Sequence, residues 1–322
     1  MTATYRNVQV IINPASGSNE PILNTINDVF GEYGIAWDAR VTHEAGDATA
    51  LARQATEDGC DLIVSYGGDG TLMEIVNGLM GSGTRVGILP GGTGNAVAAE
   101  LGIPPALADA LRLIATSRTC RRLDVGKVNG RFFLLRAFTG ISERHVASRD
   151  LKDRFGALAY PLSALRFLKE QAPARFTLTI DGTMFEEEGV MCYVNNIAYS
   201  SAPRLQDWIE RAFLDVHVHV DANLPPEEPA LHLIDPSDGL LDVVLLTQNP
   251  LTLQALRSVI IGDGNAQATV HLFQGKRVTV VTDPPQPLWI DGEECGQTPA
   301  TIQVLAGAVE VIVPEAAAAK GA

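Results

Sequence analysis

The sequence of 322 residues has few basic side chains, few cysteines and no long apolar run. Lysine and arginine together number 24, against 38 aspartates and glutamates, and the formal net charge at pH 7 is −14. Because this charge repels nucleic-acid phosphates and anionic lipids alike, a sequence-independent nucleic-acid binder is excluded. We therefore expect no nucleic-acid partner.

The four cysteines, Cys60, Cys120, Cys192 and Cys295, stand singly, without the paired spacing of a zinc site or a thioredoxin-like motif. No stretch reaches the roughly 18 to 20 apolar residues that span a bilayer. The apolar run at residues 8–12 is too short for a signal peptide. We expect a reduced, soluble, cytoplasmic protein.

The composition suits folded cores, since 46% of the residues are hydrophobic. Up to residue 124, short apolar runs alternate with stretches of helical spacing, which indicates a parallel sheet flanked by helices. The predicted strands are 8–12, 36–41, 61–66, 85–89 and 121–125, and the predicted helices are 21–34, 47–58, 71–81 and 106–116. Residues 1–124 are therefore predicted to form an α/β domain.

Beyond residue 124 the sequence becomes rich in short β-type runs joined by turns. The predicted strands are 132–138, 176–180, 190–194, 214–220, 241–247, 277–281 and 309–313, with one helix at 157–171. We predict a mostly antiparallel β-sandwich or distorted barrel over residues 125–314. The alanine-rich tail, residues 315–322, is expected to form no element.

The most informative motif is Gly67-Gly68-Asp69-Gly70, which joins an apolar strand to a helical pattern that begins at Thr71. Glycines at the carboxyl end of a parallel strand let backbone N–H groups approach a phosphate closely, and the following helix N-terminus favours negative charge. An acid in such a loop repels phosphates unless it holds Mg²⁺ or orients an attacking hydroxyl. Asp69 is therefore the leading candidate for a chemical role.

Two further loops follow strands of the same predicted sheet, Asn13-Pro14-Ala15-Ser16-Gly17 and Pro90-Gly91-Gly92-Thr93-Gly94-Asn95. Loops at the carboxyl ends of parallel strands share one edge, so three of them are expected to meet at one crevice. The alternative is that each is only a tight turn between a strand and a helix. Neither GxxxxGK[ST] nor GxGxxG is present, which leaves ATP bound without a Walker lysine.

At these residues the sequence resembles the diacylglycerol kinase catalytic-domain family, which includes sphingosine, ceramide and small bacterial lipid kinases. The matching segments are Asn13-Pro14, Gly67-Gly68-Asp69-Gly70-Thr71, Pro90-Gly91-Gly92-Thr93-Gly94-Asn95, Asp238-Gly239-Leu240-Leu241-Asp242 and Asp291-Gly292-Glu293. They span nearly the whole chain in the family's order. The resemblance implies an NAD kinase/diacylglycerol kinase-like α/β domain that binds ATP, with the acceptor alcohol in the cleft against the β-rich domain.

The resemblance also implies roles for individual residues. Glu293 would accept the proton of the acceptor hydroxyl, and Asp69 would lie beside it on Mg²⁺ or on that hydroxyl. A second, structural Mg²⁺ would be held by the carboxylate of Asp238 and by backbone oxygens of Asp235 and Leu240. The implied nucleotide contacts are Asn13, Thr42, Gly67, Gly68, Asp69, Gly70, Thr71, Gly92, Thr93 and Asn95.

The resulting hypothesis is an ATP- and Mg²⁺-dependent lipid kinase that phosphorylates a hydroxyl of diacylglycerol or a related long-chain lipid alcohol. One alternative is a kinase of a soluble acceptor, such as an NAD kinase. Another is a non-catalytic protein that binds nucleotide or lipid. Intact Asp69 and Glu293 disfavour the last alternative, since a pure binder gains nothing from acids beside phosphate.

A lipid kinase has to reach its substrate. Residues 144–175 carry seven basic and three acidic side chains, with apolar residues among them. The favoured interpretation is a helix that packs its apolar face on the β-rich domain. The alternative hypothesis is a gate for the substrate or a site of transient contact with a membrane surface, which would make the cytoplasmic protein peripheral. An exposed edge of the second sheet would allow a homodimer.

Overall fold

The computed structural model describes residues 5–17, 20–140, 172–197, 218–220, 235–247 and 270–318. The predicted helix at 157–171, most of the predicted strand at 214–220 and most of the basic segment at 144–175 lie outside these residues. In the described part of the chain, no helix combines the length and the apolar character needed to cross a bilayer.

The first 116 residues alternate strands and helices, as the spacing predicts. The strands are β1 (Val8–Ile12), β2 (Trp37–Val41), β3 (Leu62–Gly67) and β4 (Arg85–Pro90), and the helices are α1 (Ile22–Glu32), α2 (Asp47–Glu57), α3 (Asp69–Leu79), α4 (Ala96–Glu100) and α5 (Leu107–Thr116). Helix α1 buries Ile26, Val29 and Phe30, which lie on one face because they are three or four residues apart. The helices pack in two pairs, α1 with α5 and α2 with α3.

Strands β2, β1, β3 and β4 lie side by side in that order and run parallel. All six residues of β3 are buried, as expected for an inner strand of a parallel sheet that is covered on both faces. In the register of the sheet, Ile12 lies beside Tyr66, and Tyr66 lies beside Leu89. The three strands therefore end at the same edge.

The described residues of the second half of the chain form mainly strands. They are β5 (Cys120–Val128), β6 (Arg131–Phe133), β7 (Arg136–Thr139), β8 (Ala174–Ile180), β9 (Thr183–Gly189), β10 (Met191–Asn195), β11 (Val218–Val220), β12 (Leu241–Leu246), β13 (Val270–Gly275), β14 (Arg277–Asp283), β15 (Pro287–Ile290), β16 (Glu293–Gln297) and β17 (Ala300–Ile312), and the short helix α6 (Glu315–Ala318) follows. Seven of them form a sheet in the order β11-β13-β12-β10-β7-β15-β16. Apart from the parallel pair of β11 and β13, its neighbours are antiparallel. The predicted fold class is confirmed.

Strand β17 connects the two halves of the molecule. It pairs in parallel with β4 and antiparallel with β5 and β14. The α/β sheet therefore continues into strands from the second half and has ten strands in the described residues. A boundary between residues 124 and 125 stays a prediction.

Several details differ from the sequence-based expectation, and strands β13, β15 and β16 and helix α4 were not predicted. The predicted strand at 132–138 is two strands, β6 and β7, because the chain turns at Leu134 and Leu135. Strand β9 was not predicted, since it carries three glutamates and is mostly exposed. The expectation of no element in the tail is wrong over Glu315–Ala318, where three alanines favour a helix.

Candidate active site

The three glycine-containing loops meet at the carboxyl edge of the parallel sheet, as predicted. Backbone hydrogen bonds connect them: Asn13 N–H donates to the Tyr66 carbonyl at 3.0 Å, and Gly91 N–H donates to the Gly67 carbonyl at 3.0 Å. The strand register thus places the loop after β3 between the other two. A ligand at this edge would contact all three loops.

Gly68 and Gly92 bring two of these loops into backbone contact. A Cβ atom built on Gly92 would lie 2.5 Å from the Cα of Gly68, far inside normal contact distance. Position 92 therefore requires glycine for this approach, whereas a Cβ on Gly68 would lie 3.4 Å from the Gly92 Cα, an ordinary contact. The contact leaves the backbone of the two loops uncovered by side chains at the floor of the site.

Asp69 is the first residue of α3, and its carboxylate also caps another helix. The Ala96 N–H donates to Asp69 Oδ2 at 3.0 Å, and the Val97 N–H donates to Asp69 Oδ1 at 3.1 Å. These are the first two N–H groups of α4, which a carboxylate stabilises through hydrogen bonds and the helix dipole. No sequence pattern predicted this cap, because α4 is a single short turn of helix.

Asn95 shapes the third loop. Its backbone is left-handed, with a φ of 49°, which asparagine tolerates better than most residues. Its side chain accepts a hydrogen bond from Gly92 N–H at 2.9 Å and donates one to the Gly92 carbonyl at 2.7 Å. The loop is closed on itself, and Thr93 at its tip is exposed.

Four of the predicted nucleotide contacts lie behind the loops. The Asn13 amide donates to Thr71 Oγ1 at 3.0 Å, and the buried Thr42 donates to the Ile12 carbonyl through its N–H at 2.9 Å. Gly67 packs against Thr71, whose Oγ1 would lie 2.6 Å from a Cβ on that glycine. These residues hold the loops in place, whereas Gly68, Asp69, Gly70, Gly92, Thr93 and Asn95 line the open cleft.

The cleft has a volume of about 940 Å³. Its walls are the three loops, Glu20, Thr25 and the segment 105–108 at the start of α5. Among the described lining residues, the charged side chains are Glu20 and Asp69, and none is basic. The loops present backbone N–H groups to an anion, but a polyphosphate would enter beside two acids. The residues thus fit a nucleotide whose phosphates are neutralised by Mg²⁺.

Glu20 is a cleft residue that no sequence motif identified. Its Oε1 accepts a hydrogen bond of 2.8 Å from the buried Tyr66 hydroxyl. Burial, and then this bond to the carboxylate, raise the pKa of Tyr66 to about 12. Tyr66 is therefore a neutral donor that fixes Glu20 at the cleft wall.

Glu293 lies at the start of β16, and it is not among the described residues that line the cleft. Its side chain is 65% exposed, and its Oε2 accepts from the Arg131 guanidinium at 2.5 Å. Arg131 begins β6, and the next residue, Phe132, is hydrogen-bonded to Asn77 of α3. The structure therefore connects Glu293 to the helix that carries Asp69, although it records no contact between the two acids.

Asp291 organises the turn between β6 and β7. Its carboxylate accepts hydrogen bonds from the N–H groups of Leu134, Leu135 and Arg136 at 3.0, 3.1 and 2.9 Å. Burial raises the pKa of Asp291 to about 6 and outweighs these three bonds, which act in the opposite direction. Asp291 itself lies in the turn between β15 and β16, and Glu293 begins β16. The Asp291 carboxylate thus ties the turn that precedes Glu293 to the turn between β6 and β7.

The predicted second metal ligands lie in the turn before β12. The Asp238 carboxylate accepts from the Leu240 N–H at 2.8 Å, and the Asp235 carboxylate is paired with Arg121 of β5. Asp124 of β5 lies nearby, since its carboxylate accepts from Gly239 N–H at 2.6 Å. Burial raises the pKa of both Asp124 and Asp238. The metal assignment at Asp235, Asp238 and Leu240 stays a prediction.

Two family descriptions match the chain. "Diacylglycerol kinase catalytic domain" matches residues 7–128, and "YegS C-terminal NAD kinase beta sandwich-like domain" matches residues 233–313. The first covers the loops of the cleft, and the second covers the turn at Asp238 and the hairpin at Glu293.

Relatives match over nearly the full length. A protein named diacylglycerol kinase from Bacillus subtilis (strain 168) is 29% identical, over 96% of this chain and 97% of its own. One of the same name from Staphylococcus carnosus (strain TM300) is 26% identical, over 96% of each chain.

A solved structure, described as that of a candidate diacylglycerol kinase from Bacillus anthracis str. Sterne, superposes with a TM-score of 0.75 at 26% identity. The superposition covers 97% of this chain and 99% of that one. The fold and the sequence similarity both extend over the two halves of the molecule, and the cleft lies in the part that the catalytic-domain description matches. Residues 7–128 belong to the diacylglycerol kinase catalytic-domain family, and the chain is a kinase that is similar over nearly its full length to proteins named diacylglycerol kinase.

Proposed function

We propose that the protein transfers the γ-phosphoryl group of Mg²⁺-bound ATP to a hydroxyl of diacylglycerol or a related long-chain lipid alcohol. The observation that carries the proposal is the glycine floor at Gly68 and Gly92, in a cleft whose described charged residues are both acidic. Backbone N–H groups bind phosphate without a lysine, and the bound Mg²⁺ neutralises charge on the phosphates.

The proposed nucleotide site consists of residues that contact the phosphates and of residues that support the loops from behind. Gly68, Gly70, Gly92 and Thr93 contact the phosphates, and the Asn95 side chain keeps their loop closed. Asn13, Thr42, Gly67 and Thr71 support the loops from behind. The segment 105–108, with its alanines and Leu107, offers an apolar surface on which the base can lie.

In the proposed reaction the acceptor oxygen attacks the γ-phosphorus, and the bond between this phosphorus and the β–γ bridging oxygen breaks, which releases ADP. Asp69 orients the acceptor hydroxyl or the metal with the lone pairs left over from its bonds to α4. Glu293 takes the hydroxyl proton, and Arg131 orients its carboxylate. Glu293 is connected to α3 through Phe132 and Asn77, which supports its approach to the cleft when the acceptor is bound.

The experiment that tests this function is transfer of γ-labelled phosphate from ATP, with Mg²⁺, to an extracted lipid mixture resolved by chromatography. We expect a labelled lipid from the wild type and a loss of at least about 100-fold for Asp69→Asn and for Glu293→Gln. Two exposed acids give matched controls, Asp38→Asn and Glu294→Gln, which are expected to keep the wild-type rate.

Two results would contradict the proposal. Label in added NAD, with none in lipid, would identify a soluble acceptor. Full activity of Glu293→Gln would reject that residue as the base while leaving the lipid assignment standing.

For access to lipid, co-sedimentation with vesicles that contain anionic lipid tests the predicted contact at residues 144–175.

A further inference from the structure

A compact acidic junction lies where β5 meets the turn before β12. Asp124 of β5 accepts two backbone hydrogen bonds, from Gly307 N–H to Oδ1 at 2.7 Å and from Gly239 N–H to Oδ2 at 2.6 Å. Asp235 and Asp238 lie on the same turn as Gly239, so three carboxylates lie close together. Such a group of carboxylates requires a cation in or beside it.

Arg121 supplies that cation from within the chain. Its guanidinium Nη2 lies 2.5 Å from Asp235 Oδ1, and its Nε donates to Ser237 Oγ at 2.9 Å. The side chain is only 7% exposed, and a guanidinium is buried to this extent when carboxylates and hydroxyls occupy its donors. The neighbouring Arg122 points to the other face of β5, is 73% exposed and pairs with Glu310.

The donors at this junction do not fit a resident divalent ion. Mg²⁺ requires oxygen ligands in near-octahedral geometry. Both Asp124 oxygens accept from backbone N–H groups, and Asp235 Oδ1 accepts from Arg121 and from Ser237 N–H. Of the ligands that the resemblance implies, Asp238 Oδ1 accepts from the Leu240 N–H at 2.8 Å, and the Asp235 carbonyl accepts from the Asp238 N–H at 3.4 Å, so both already have a donor.

We propose that Arg121 replaces the structural Mg²⁺ that the family resemblance implies at Asp235, Asp238 and Leu240. The guanidinium ties β5 to the turn before β12 by hydrogen bonds to Asp235 and Ser237. The arginine is part of the chain and cannot dissociate, whereas a bound ion exchanges with solvent. Its positive charge, held on the same turn as the expected ligands, also repels a divalent cation. The junction is consequently independent of free Mg²⁺.

The first test measures metal binding to the nucleotide-free full-length protein, with Mn²⁺ followed by electron paramagnetic resonance. We expect no site with a Kd below about 1 mM in the wild type. One bound Mn²⁺ per chain that is lost in Asp238→Asn and kept in Asp69→Asn would overturn the proposal. The Asp69 variant separates the junction from the cleft.

The second test compares melting temperatures in Mg²⁺ and in EDTA. The wild type and the surface control Arg122→Met should melt at the same temperature in both. Arg121→Met should melt about 5 °C lower in EDTA than Arg122→Met and recover part of the loss in Mg²⁺. Arg121→Lys, which keeps the charge, should show no response to Mg²⁺.

If Arg121→Met does not fold, Arg121→Lys and the Mn²⁺ titration of the wild type still decide the question. An Arg121→Met protein that melts like Arg122→Met in EDTA would show that the guanidinium is not the cation of the junction. If Mg²⁺ stabilises the wild type without nucleotide and this effect is lost in Asp238→Asn, the cation of the junction is Mg²⁺ and not the guanidinium.

Discussion

The contact between Gly68 and Gly92 sets how closely the loops after β3 and β4 approach each other. The backbone of Gly68 occupies the space that any side chain on Gly92 would need. Gly78 is equally crowded, but between α2 and α3, where a Cβ would lie 2.4 Å from the Thr49 carbonyl oxygen. Substitutions at Gly92 and at Gly78 therefore distinguish an effect on the cleft from a loss of packing between α2 and α3.

We predict that Gly92→Ala raises the KM for ATP at least about tenfold, because the loops must move apart by roughly the width of a methyl group. Gly78→Ala should cost a similar free energy of unfolding, about 1–3 kcal/mol, and leave the KM for ATP unchanged. Steady-state kinetics and urea unfolding of both variants check this. Equal KM values for the two variants would show that the loop contact is not part of the nucleotide site.

Asp291 gives the protein a pH-dependent stability. Its pKa rises from an ordinary 3.8 to about 6 in the folded protein, so the folded state holds this proton more tightly than the unfolded state. The stability that the group contributes is fully present below pH 3.8 and is lost as the pH rises through about 6.

We predict that the free energy of unfolding of the wild type, minus that of Asp291→Asn, falls by on the order of 2–3 kcal/mol between about pH 4 and pH 7. The asparagine does not titrate, and other groups cancel in the difference. Urea unfolding at several pH values measures it. A difference that is constant with pH would reject the raised pKa.

At the scale of elements, α3 connects the cleft to the β-rich half. Asp69 begins the helix, and Asn77 near its end accepts from Phe132 N–H at 3.2 Å and donates to the Phe132 carbonyl at 3.4 Å. Phe132 follows Arg131, the partner of Glu293. The helix therefore sets the distance between the two proposed catalytic acids.

We predict that Asn77→Ala lowers kcat while the KM for ATP stays within about twofold. The cost in the free energy of unfolding should be roughly 1–3 kcal/mol, because both backbone groups of Phe132 lose a partner. Asn7→Ala is the matched control, since that exposed amide makes one bond, to the Gly59 carbonyl. An Asn77→Ala protein with full kcat would show that this connection does not position Glu293.

At the scale of the whole molecule, β17 makes the two halves interdependent. It covers β4 on one side and pairs with β5 over most of its length. A fragment that ends at residue 124 keeps β4 but loses this neighbour, and an open apolar edge favours aggregation.

We predict that residues 1–124 expressed alone do not form a stable monomer, whereas residues 1–314, which keep β17 and lack α6, fold like the full chain. Size-exclusion chromatography and amide NMR dispersion distinguish the two outcomes. A monomeric, well-dispersed 1–124 fragment would instead support an independent domain with the predicted boundary.

The sequence predicted many of the elements that carry a characteristic pattern within a few consecutive residues. The apolar runs of β1, β3 and β4 predicted the sheet, and the glycines at Gly67-Gly68 and Gly91-Gly92 predicted the loops that meet at its edge. The exposed strand β9 and the single turn α4 have no such apolar pattern and were missed, and the short strands β13, β15 and β16 were missed as well. The roles of Glu20, Tyr66 and Arg121 were also missed, because each depends on a partner far away in the sequence.

The sequence by itself determined the fold class, the positions of the glycine-containing loops and the family resemblance, since these depend on residue types at short, fixed spacings. The tertiary structure decided that Asp69 caps a helix 27 residues further on. It also decided that Arg121 neutralises Asp235, 114 residues away, and that β17 returns to the first sheet. Such contacts arise only when distant strands close into one sheet, because hydrogen bonds and charge pairing act over a few ångströms in space and not along the chain.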